Sequence, residues 1–146
     1  MAELVDRLQA DIKAAMKARD SRILGVLRML SADLKNEAIA RRRALTDDEA
    51  VQVLMRAVKQ RREAAEQFAR GGRQDLVDKE TWEVGVVEGY LPAPLTEEDL
   101  VALVDAAIAE LPAGANLGQV MRVLMPKVQG RADGKQVNGL VRARLG

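Results

Sequence analysis

Apolar residues recur every three or four positions along most of this chain, which is the spacing of one face of an α-helix. The first apolar stripe consists of Leu4, Leu8, Ile12 and Ala15. It predicts a helix over residues 3 to 18, and Asp20 is suited to cap a second helix that ends at about Arg42. The apolar stripe of the second helix consists of Ile23, Leu27, Leu30 and Leu34. Three cations fall seven residues apart on another face of it: Arg28, Lys35 and Arg42.

The segment from Thr46 to Glu49 has the order of a capping box, in which the Thr hydroxyl and the Glu carboxylate each accept from a free amide at a helix start. It predicts a long third helix that ends at Gly71 and Gly72, because glycine readily adopts the left-handed conformation common after helices. The side chains expected to be buried are Val51, Leu54, Val58, Ala65 and Phe68. A fourth helix is predicted over residues 73 to 91, with the apolar stripe Val84, Val87 and Leu91.

Two prolines, Pro92 and Pro94, interrupt the helical pattern. We place a subdomain boundary there, between residues 1–92 and 93–146. A fifth helix is predicted to begin after Thr96, with four apolar residues facing inward: Leu100, Val104, Ile108 and Leu111.

The last two predicted helices form a hairpin over residues 117–128 and 134–145, with Asn116 and Asp133 as their caps. Each cap is followed three residues later by a glutamine, Gln119 or Gln136, which predicts reciprocal capping. The inward residues are expected to be Leu117, Val120, Met121, Leu124, Val128, Val137, Leu140, Val141 and Leu145. Since no alternating strand pattern occurs, we predict an all-α fold of about seven helices, four in the N-terminal subdomain and three in the C-terminal one.

Composition excludes several kinds of chemistry. The chain has no Cys and no His, so thiolate nucleophiles, zinc–thiolate sites and the commonest general base are absent. Its only serines, Ser21 and Ser31, share one helical pattern and have no evident base beside them. The acidic clusters at 47–49 and 97–99 fall in first turns, where the helix dipole stabilises negative charge. We therefore predict no catalytic residue, no cofactor and no metal site.

The N-terminal segment is amphipathic and contains acids, unlike the apolar centre of a signal peptide. No run approaches the roughly 18 apolar residues of a membrane span. We expect a cytoplasmic protein without a membrane partner.

Charge is balanced in total but not along the chain. Lys and Arg number 23 against 22 Asp and Glu, yet from Arg122 onward six basic residues face one acid, Asp133. Basic residues are also dense in the run 41–43 and in the segment 56–73, where helix ends and solvated faces are the simpler explanation. A distributed basic surface suits a polyanion such as the phosphate backbone of RNA. The predicted phosphate-binding residues are Arg122, Lys127, Arg131, Lys135, Asn138, Arg142 and Arg144.

The segment 130–136 has some features of a nucleotide-binding loop but departs from that motif. Three residues instead of four separate its glycines, Gln follows Lys135, and no strand precedes it. A helix start there would accept phosphate, but Asp133 at the cap would repel it. Side chains of Arg131 and Lys135 are therefore better phosphate ligands than the amides, and Gly139 is expected to mark a close helix contact.

Four stretches together resemble the GatB/YqeY family, in particular its stand-alone YqeY-like members. They are AMKARDSRILGVLRML (15–30), VKQRREAAEQFARGGRQDL (58–76), GYLPAPLTEEDL (89–100) and GQVMRVLMPKVQGRADGKQVNGLV (118–141). The hairpin positions that match the family pattern are Gly118, Met121, Met125, Gly130, Asp133, Gly134, Lys135, Val137, Asn138 and Val141. Two positions depart from it: Arg122 replaces a small residue, and Ala64 replaces a frequent Ser.

The resemblance implies an all-helical fold in two subdomains, related to the C-terminal tail of the GatB component of the glutamine-dependent tRNA amidotransferase. In that enzyme the tail engages the tRNA body, while the catalytic centres lie elsewhere. The family label of carbon–nitrogen ligase with glutamine as amido-N-donor would then be inherited from the larger enzyme, because kinship of fold does not convey chemistry.

Two hypotheses from different classes follow. In the first, the protein is a tRNA-binding accessory factor whose hairpin contacts phosphates near the tRNA elbow. In the second, it is an interaction module that docks onto an amidotransferase or an aminoacyl-tRNA synthetase. A catalytic activity of its own would require turnover by the purified chain.

Overall fold

The computed structural model describes residues 3–128 and 130–146. Over these residues the chain forms seven α-helices and no strand, which confirms the all-α prediction. The helices are α1 (Glu3–Ala18), α2 (Ser21–Arg41), α3 (Asp47–Arg70), α4 (Gln74–Glu88), α5 (Glu97–Glu110), α6 (Leu117–Val128) and α7 (Gly134–Leu145). They group into two compact units that divide between Leu91 and Pro92. None of the described helices has the length and apolarity needed to cross a membrane.

Local sequence accounts for most helix starts. Thr46 accepts from the Glu49 amide at 3.2 Å, and its own amide donates to the Glu49 carboxylate at 3.0 Å, so the predicted capping box forms. Thr96 and Asp99 repeat this arrangement at the start of α5. Asp20 caps α2 by accepting from the Ile23 amide at 3.2 Å.

Helix ends follow the predictions with small shifts. Helix α2 ends at Arg41, one residue before the predicted end, because Arg42 adopts a left-handed conformation with φ of 58°. Helix α3 ends before Gly72, which is left-handed as predicted, with φ of 72°. Helix α4 covers Gln74–Glu88 instead of 73–91, because the chain turns tightly through Tyr90 and the half-buried Leu91 before the prolines.

The core of the first unit is built from α1 to α4. Its fully buried members include Leu8, Leu30, Leu54 and Val87. Val51 and Val58 are buried as predicted, whereas the prediction was wrong for Ala65 and Phe68, which are half-buried and outside the core cluster. The reason is length: burial along α3 stops at Arg61, so the last turns of this 24-residue helix lie beyond the core.

The deepest charged contact in the first unit joins α3 to α4. Arg61 Nε lies 3.3 Å from a Glu83 carboxylate oxygen, and the two side chains are 8% and 12% exposed. Arg61 also donates to the Ala57 carbonyl at 3.1 Å and to the Met29 sulfur at 3.2 Å. Arg61 belongs to the basic segment 56–73, but its burial removes it from the exposed cations of that segment.

The second unit packs α5, α6 and α7 around an aliphatic core. Its buried members are Leu100, Val104, Ala107, Val120, Leu124, Val128, Val137 and Val141. The other residues predicted to face inward are half-buried around this core: Ile108, Leu111, Leu117, Met121, Leu140 and Leu145. Gly130, with φ of 78°, allows the chain to leave α6 and turn toward α7.

Candidate nucleic-acid interface

One exposed face of α7 carries three of the predicted site residues. Lys135 and Arg142 are seven residues apart, which places them about 20° from each other around the helix axis. Asn138 lies between them along the helix and about 60° from Lys135 around the axis. Lys135 and Arg142 are exposed and Asn138 is half-buried. Since Val137 and Val141 of the same helix are fully buried, the core holds the opposite side and presents this face to solvent. We call Lys135, Asn138, Arg142 and the intervening Gly139 the α7 face.

Two other predicted residues are directed to acids on α5. Lys127 Nζ lies 3.3 Å from Glu110 Oε1, and Arg144 Nε lies 3.3 Å from Asp105 Oδ1. These pairs are about half exposed, so each contributes little to stability, on the order of 0 to 1 kcal/mol. They nevertheless place a carboxylate beside each cation, which reduces the attraction for a phosphate.

Arg131 has a structural role in addition to its charge. Its Nε donates to the Ala93 carbonyl at 3.2 Å, and its own carbonyl accepts from the Leu95 amide at 2.8 Å. These contacts fasten the segment before α5 to the turn after α6. Replacing Arg131 would therefore disturb the fold of this unit together with its charge.

Arg122 is exposed on α6, at a distance of five residues from Lys127. This spacing rotates the two side chains about 140° apart around the helix, so they do not share a face. Across residues 3–128 and 130–146, four of the predicted cations make no ion pair: Arg122, Arg131, Lys135 and Arg142. Since Arg131 donates to a carbonyl, the side chains of three of the six cations have a hydrogen-bond or ion-pair partner and those of Arg122, Lys135 and Arg142 have none among the described residues.

The start of α7 is occupied by its own cap. Asp133 accepts from the Lys135 amide at 3.1 Å. The predicted reciprocal bond from Gln136 is absent among the described contacts, whereas Asn116 and Gln119 form both bonds of their box at 2.9 Å. The prediction for Gln136 was wrong because Asp133 binds the second amide of the helix and not the third. Its carboxylate also disfavours a phosphate at these amides.

Gly139 does not mark a close helix contact, so that prediction was wrong. It is exposed, and a Cβ built on it would meet no atom within 4 Å. Glycine inside a helix costs roughly 1 kcal/mol relative to alanine, and no packing within this unit offsets that cost. Sequence alone does not distinguish a glycine at a close helix contact from a glycine on an exposed helix surface, because both interrupt the side-chain pattern in the same way. The open backbone lies on the same side of α7 as Lys135 and Arg142.

The hydrogen bonds of Ser31 and of Glu49, in the first acidic cluster, stabilise the fold. Ser31 is 7% exposed and accepts a hydrogen bond from Gln9 Nε2 at 2.9 Å. Glu49 is held by a two-contact pair with Arg43 at 2.6 and 2.7 Å. Hydrogen bonding from Arg43 and from the Thr46 amide lowers the pKa of Glu49 to about 2, opposite to what a general acid needs.

These features describe an all-α protein with a four-helix unit, a three-helix unit and an exposed basic face on its last helix. The family model described as Yqey-like protein matches residues 5–145. The chain belongs to this YqeY-like family, which confirms the resemblance seen in the sequence.

Several fungal relatives carry the name altered inheritance of mitochondria protein 41, mitochondrial. The one from Pyrenophora tritici-repentis is 29% identical over 148 residues, covering 98% of this chain and 81% of the relative. The one from Eremothecium gossypii is 37% identical over 107 residues, covering 71% of this chain and 58% of the relative. The one from Kluyveromyces lactis is 27% identical over 140 residues, covering 93% and 72%. The chain therefore spans from under three-fifths to four-fifths of these relatives.

The names of these relatives contradict the cytoplasmic location expected from sequence, since they are mitochondrial proteins. The expectation rested on the lack of a signal-peptide pattern, which concerns secretion only. A targeting segment is distinct from the folded domain, so the hydrophobic pattern of the domain does not specify its compartment.

Proposed function

We propose that this protein binds folded RNA, with tRNA as its ligand, and that the α7 face contacts the sugar-phosphate backbone. The observation that carries the proposal is the combination on one helix face of two cations without acid partners, a polar side chain and an open glycine backbone. Lys135 and Arg142 supply charge, and Asn138 supplies a hydrogen-bonding group for sugar or base. Gly139 lets a backbone approach closely, a use that explains a glycine without internal packing.

The few aromatic residues support recognition of a backbone over stacking of single-stranded bases. The Trp82 ring is covered by the Arg22 guanidinium at 3.8 Å. The Tyr90 ring has Arg7 at 4.6 Å, and its hydroxyl donates to Asp11. Since stacking platforms need open aromatic faces, these rings are poorly suited to bind unstacked bases.

The resemblance to the tail of the GatB component of the amidotransferase supports tRNA as the RNA. On this proposal the protein holds tRNA and assists its amidation, and catalysis belongs to a partner enzyme. The chain offers little for chemistry of its own, because it lacks His and Cys and its Ser31 hydroxyl is buried.

The test compares two double variants of the same unit. Lys135→Ala with Arg142→Ala removes the two cations of the α7 face, and Lys127→Ala with Arg144→Ala removes two cations paired with acids. Binding of a purified tRNA transcript is measured by anisotropy over a series of salt concentrations. We expect the first variant to lose about one unit of the salt slope per lost contact, and the second to change much less.

Equal losses in both double variants would contradict the proposal, because only net charge would then matter. Unchanged binding in the first variant would remove the α7 face as the site. Circular dichroism of both proteins controls for folding.

A further inference from the structure

A row of cations on α2, in the first unit, has no function in the RNA proposal. Arg28 and Lys35 lie seven residues apart on one side of the helix, and Arg42 follows directly after the last helical residue in a left-handed conformation. The row has a length of about 20 Å. All three are exposed, and none forms an ion pair within the described residues. The acids of α2, Asp33 and Glu37, lie on the other side, where Glu37 pairs with Arg41. No carboxylate therefore offsets the positive charge of this row among the described residues.

An apolar pocket opens beside this row. It has a volume of about 160 Å³ and lies between α1, α2 and the loop before α3. Its lining consists of Val5, Gln9, Ser31, Leu34, Lys35, Ala38, Ala44 and Leu45. The polar groups in its wall bind each other, since Gln9 donates to Ser31 at 2.9 Å. An apolar cavity of about 150 Å³ suits a group the size of benzene, so this pocket suits one apolar side chain.

Ile39 extends the apolar surface at this place. It is 73% exposed, more than Met16 at 52% or Met29 at 44%. It lies four residues after Lys35, so it shares the side of α2 that carries Arg28 and Lys35. Lys35 also belongs to the pocket lining, so it connects this side of the helix with the pocket. Isolated exposed apolar residues are ordinary, but this one lies one helical turn from Lys35, which lines the pocket.

We propose that this surface, Arg28, Lys35, Ile39, Arg42 and the adjoining pocket, docks an acidic amphipathic helix of a partner protein. One apolar side chain of that helix enters the pocket, Ile39 contacts its apolar side, and acids seven residues apart face Arg28 and Lys35, with Arg42 at the end of the row. Matching charges at heptad spacing align paired helices, and an apolar anchor in a pocket supplies much of the affinity.

The pocket distinguishes this partner from a nucleic acid. A sugar-phosphate backbone would satisfy the cations but would leave the apolar pocket and Ile39 in water. An amphipathic helix satisfies both, because its acids and its apolar anchor lie on one side at helical spacing. The inference does not depend on RNA binding by the α7 face.

The probe is a fluorescent synthetic helix of about 21 residues, which matches the length of the row at 1.5 Å per residue with a margin at each end. It is rich in Ala and Gln, with three Glu residues seven apart and one Leu anchor between them. Lys35→Glu reverses the central charge, and Ala44→Leu fills the pocket from an exposed position. Lys59→Glu on α3 is the matched control, since it reverses an exposed cation away from the pocket. We expect at least about tenfold weaker binding for the first two variants and less than about twofold for the control.

Two further measurements locate and identify the occupant. Methyl NMR of the wild-type protein should show peptide-induced shifts at Val5, Leu34 and Leu45, which line the pocket. A peptide with Ala in place of its Leu anchor should bind about tenfold more weakly.

Equal binding of the peptide by wild type and by both pocket variants would overturn the proposal. If tRNA displaces the peptide from the wild type but does not bind Lys35→Glu, the surface belongs to RNA instead. If the wild type self-associates and Ala44→Leu does not, the surface belongs to a second copy of the chain. Either of these results also overturns the proposal.

Discussion

Two segments of this protein carry the same number of cations in sequence but differ in how many of these cations meet acids in the structure. The segment 56–73 and the chain from Arg122 onward each carry six cations. In the first segment four of the six meet acids: Arg56 with Glu37, Arg61 with Glu83, Arg62 with Glu88, and Arg73 with Asp75. In the second, two meet acids and four have no acid partner in the described chain, although one of these four, Arg131, donates to a carbonyl. Counting charges along a sequence therefore overstates the positive surface, because acids on neighbouring helices neutralise part of it.

The largest effect expected from this comparison concerns the buried pair of the first segment. Arg61→Ala leaves Glu83 buried without its cation, and breaking such a pair costs about 3–5 kcal/mol. Urea denaturation measures the loss. The double variant Arg61→Met with Glu83→Leu should recover most of it, since no charge then remains buried. A single variant as stable as wild type would show that the contact contributes little.

The next prediction separates stability from binding on the α7 face. Gly139→Ala should raise the free energy of unfolding by up to about 1 kcal/mol, because alanine favours the helix and meets no atom within 4 Å. On the RNA proposal the same change weakens tRNA binding, since a methyl group obstructs the backbone. Thermal unfolding and anisotropy measure the two effects.

The matched control is Gly85→Ala on α4, another exposed helical glycine with nothing near its Cβ position. It should stabilise the protein similarly and leave tRNA binding unchanged. Unaltered binding in Gly139→Ala, with Lys135→Ala and Arg142→Ala still weakening it, would restrict the contact to the cations.

A third prediction extends the comparison to the run 41–43, where Arg41 and Arg43 both pair with Glu49. The folded-state pKa of Glu49 is about 2, below the usual 4.5, so its contribution to stability is fully present above pH 4.5. That contribution is lost as the pH falls from 4.5 toward 2. Between these values the melting temperature of wild type should fall more than that of Glu49→Gln. If the melting temperatures of the two proteins fall in parallel with pH, Glu49 is not the group responsible for the loss of stability.

The smallest effect is expected at an exposed pair of the first segment. Arg62 and Glu88 are 3.5 Å apart, with side chains 63% and 47% exposed. Arg62→Ala should change the free energy of unfolding by less than about 1 kcal/mol and leave tRNA binding unaltered. A loss of binding as large as that of the α7 variants would show that both basic segments contact RNA.

Much of the fold was predictable because helix starts depend on residues only three or four apart. Thr46 with Glu49 and Asn116 with Gln119 carry both partners of a capping box within four consecutive residues. The cap of α7 shows the limit, because Asp133 has a choice of two neighbouring amides and binds that of Lys135.

The candidate site was only partly predictable. Lys135, Asn138 and Arg142 are placed on one face by helical spacing alone, so sequence was enough to group them. The same counting grouped Lys127 and Arg144 with them, although both side chains reach acids on α5. The pocket beside Lys35 was missed entirely, since its lining comes from two helices and a loop.

By itself the sequence determined the seven helices, most of their caps and the apolar stripes, because these depend on interactions within one or two helical turns. Only the tertiary structure decided which cations have an acid partner, that Arg61 is buried, and that a side chain at Gly139 would meet no other atom. The physical reason is sequence separation: the contact of Lys127 with Glu110 joins residues 17 apart, and that of Arg61 with Glu83 joins residues 22 apart. Packing of one helix against another brings these partners together, and no local pattern records it.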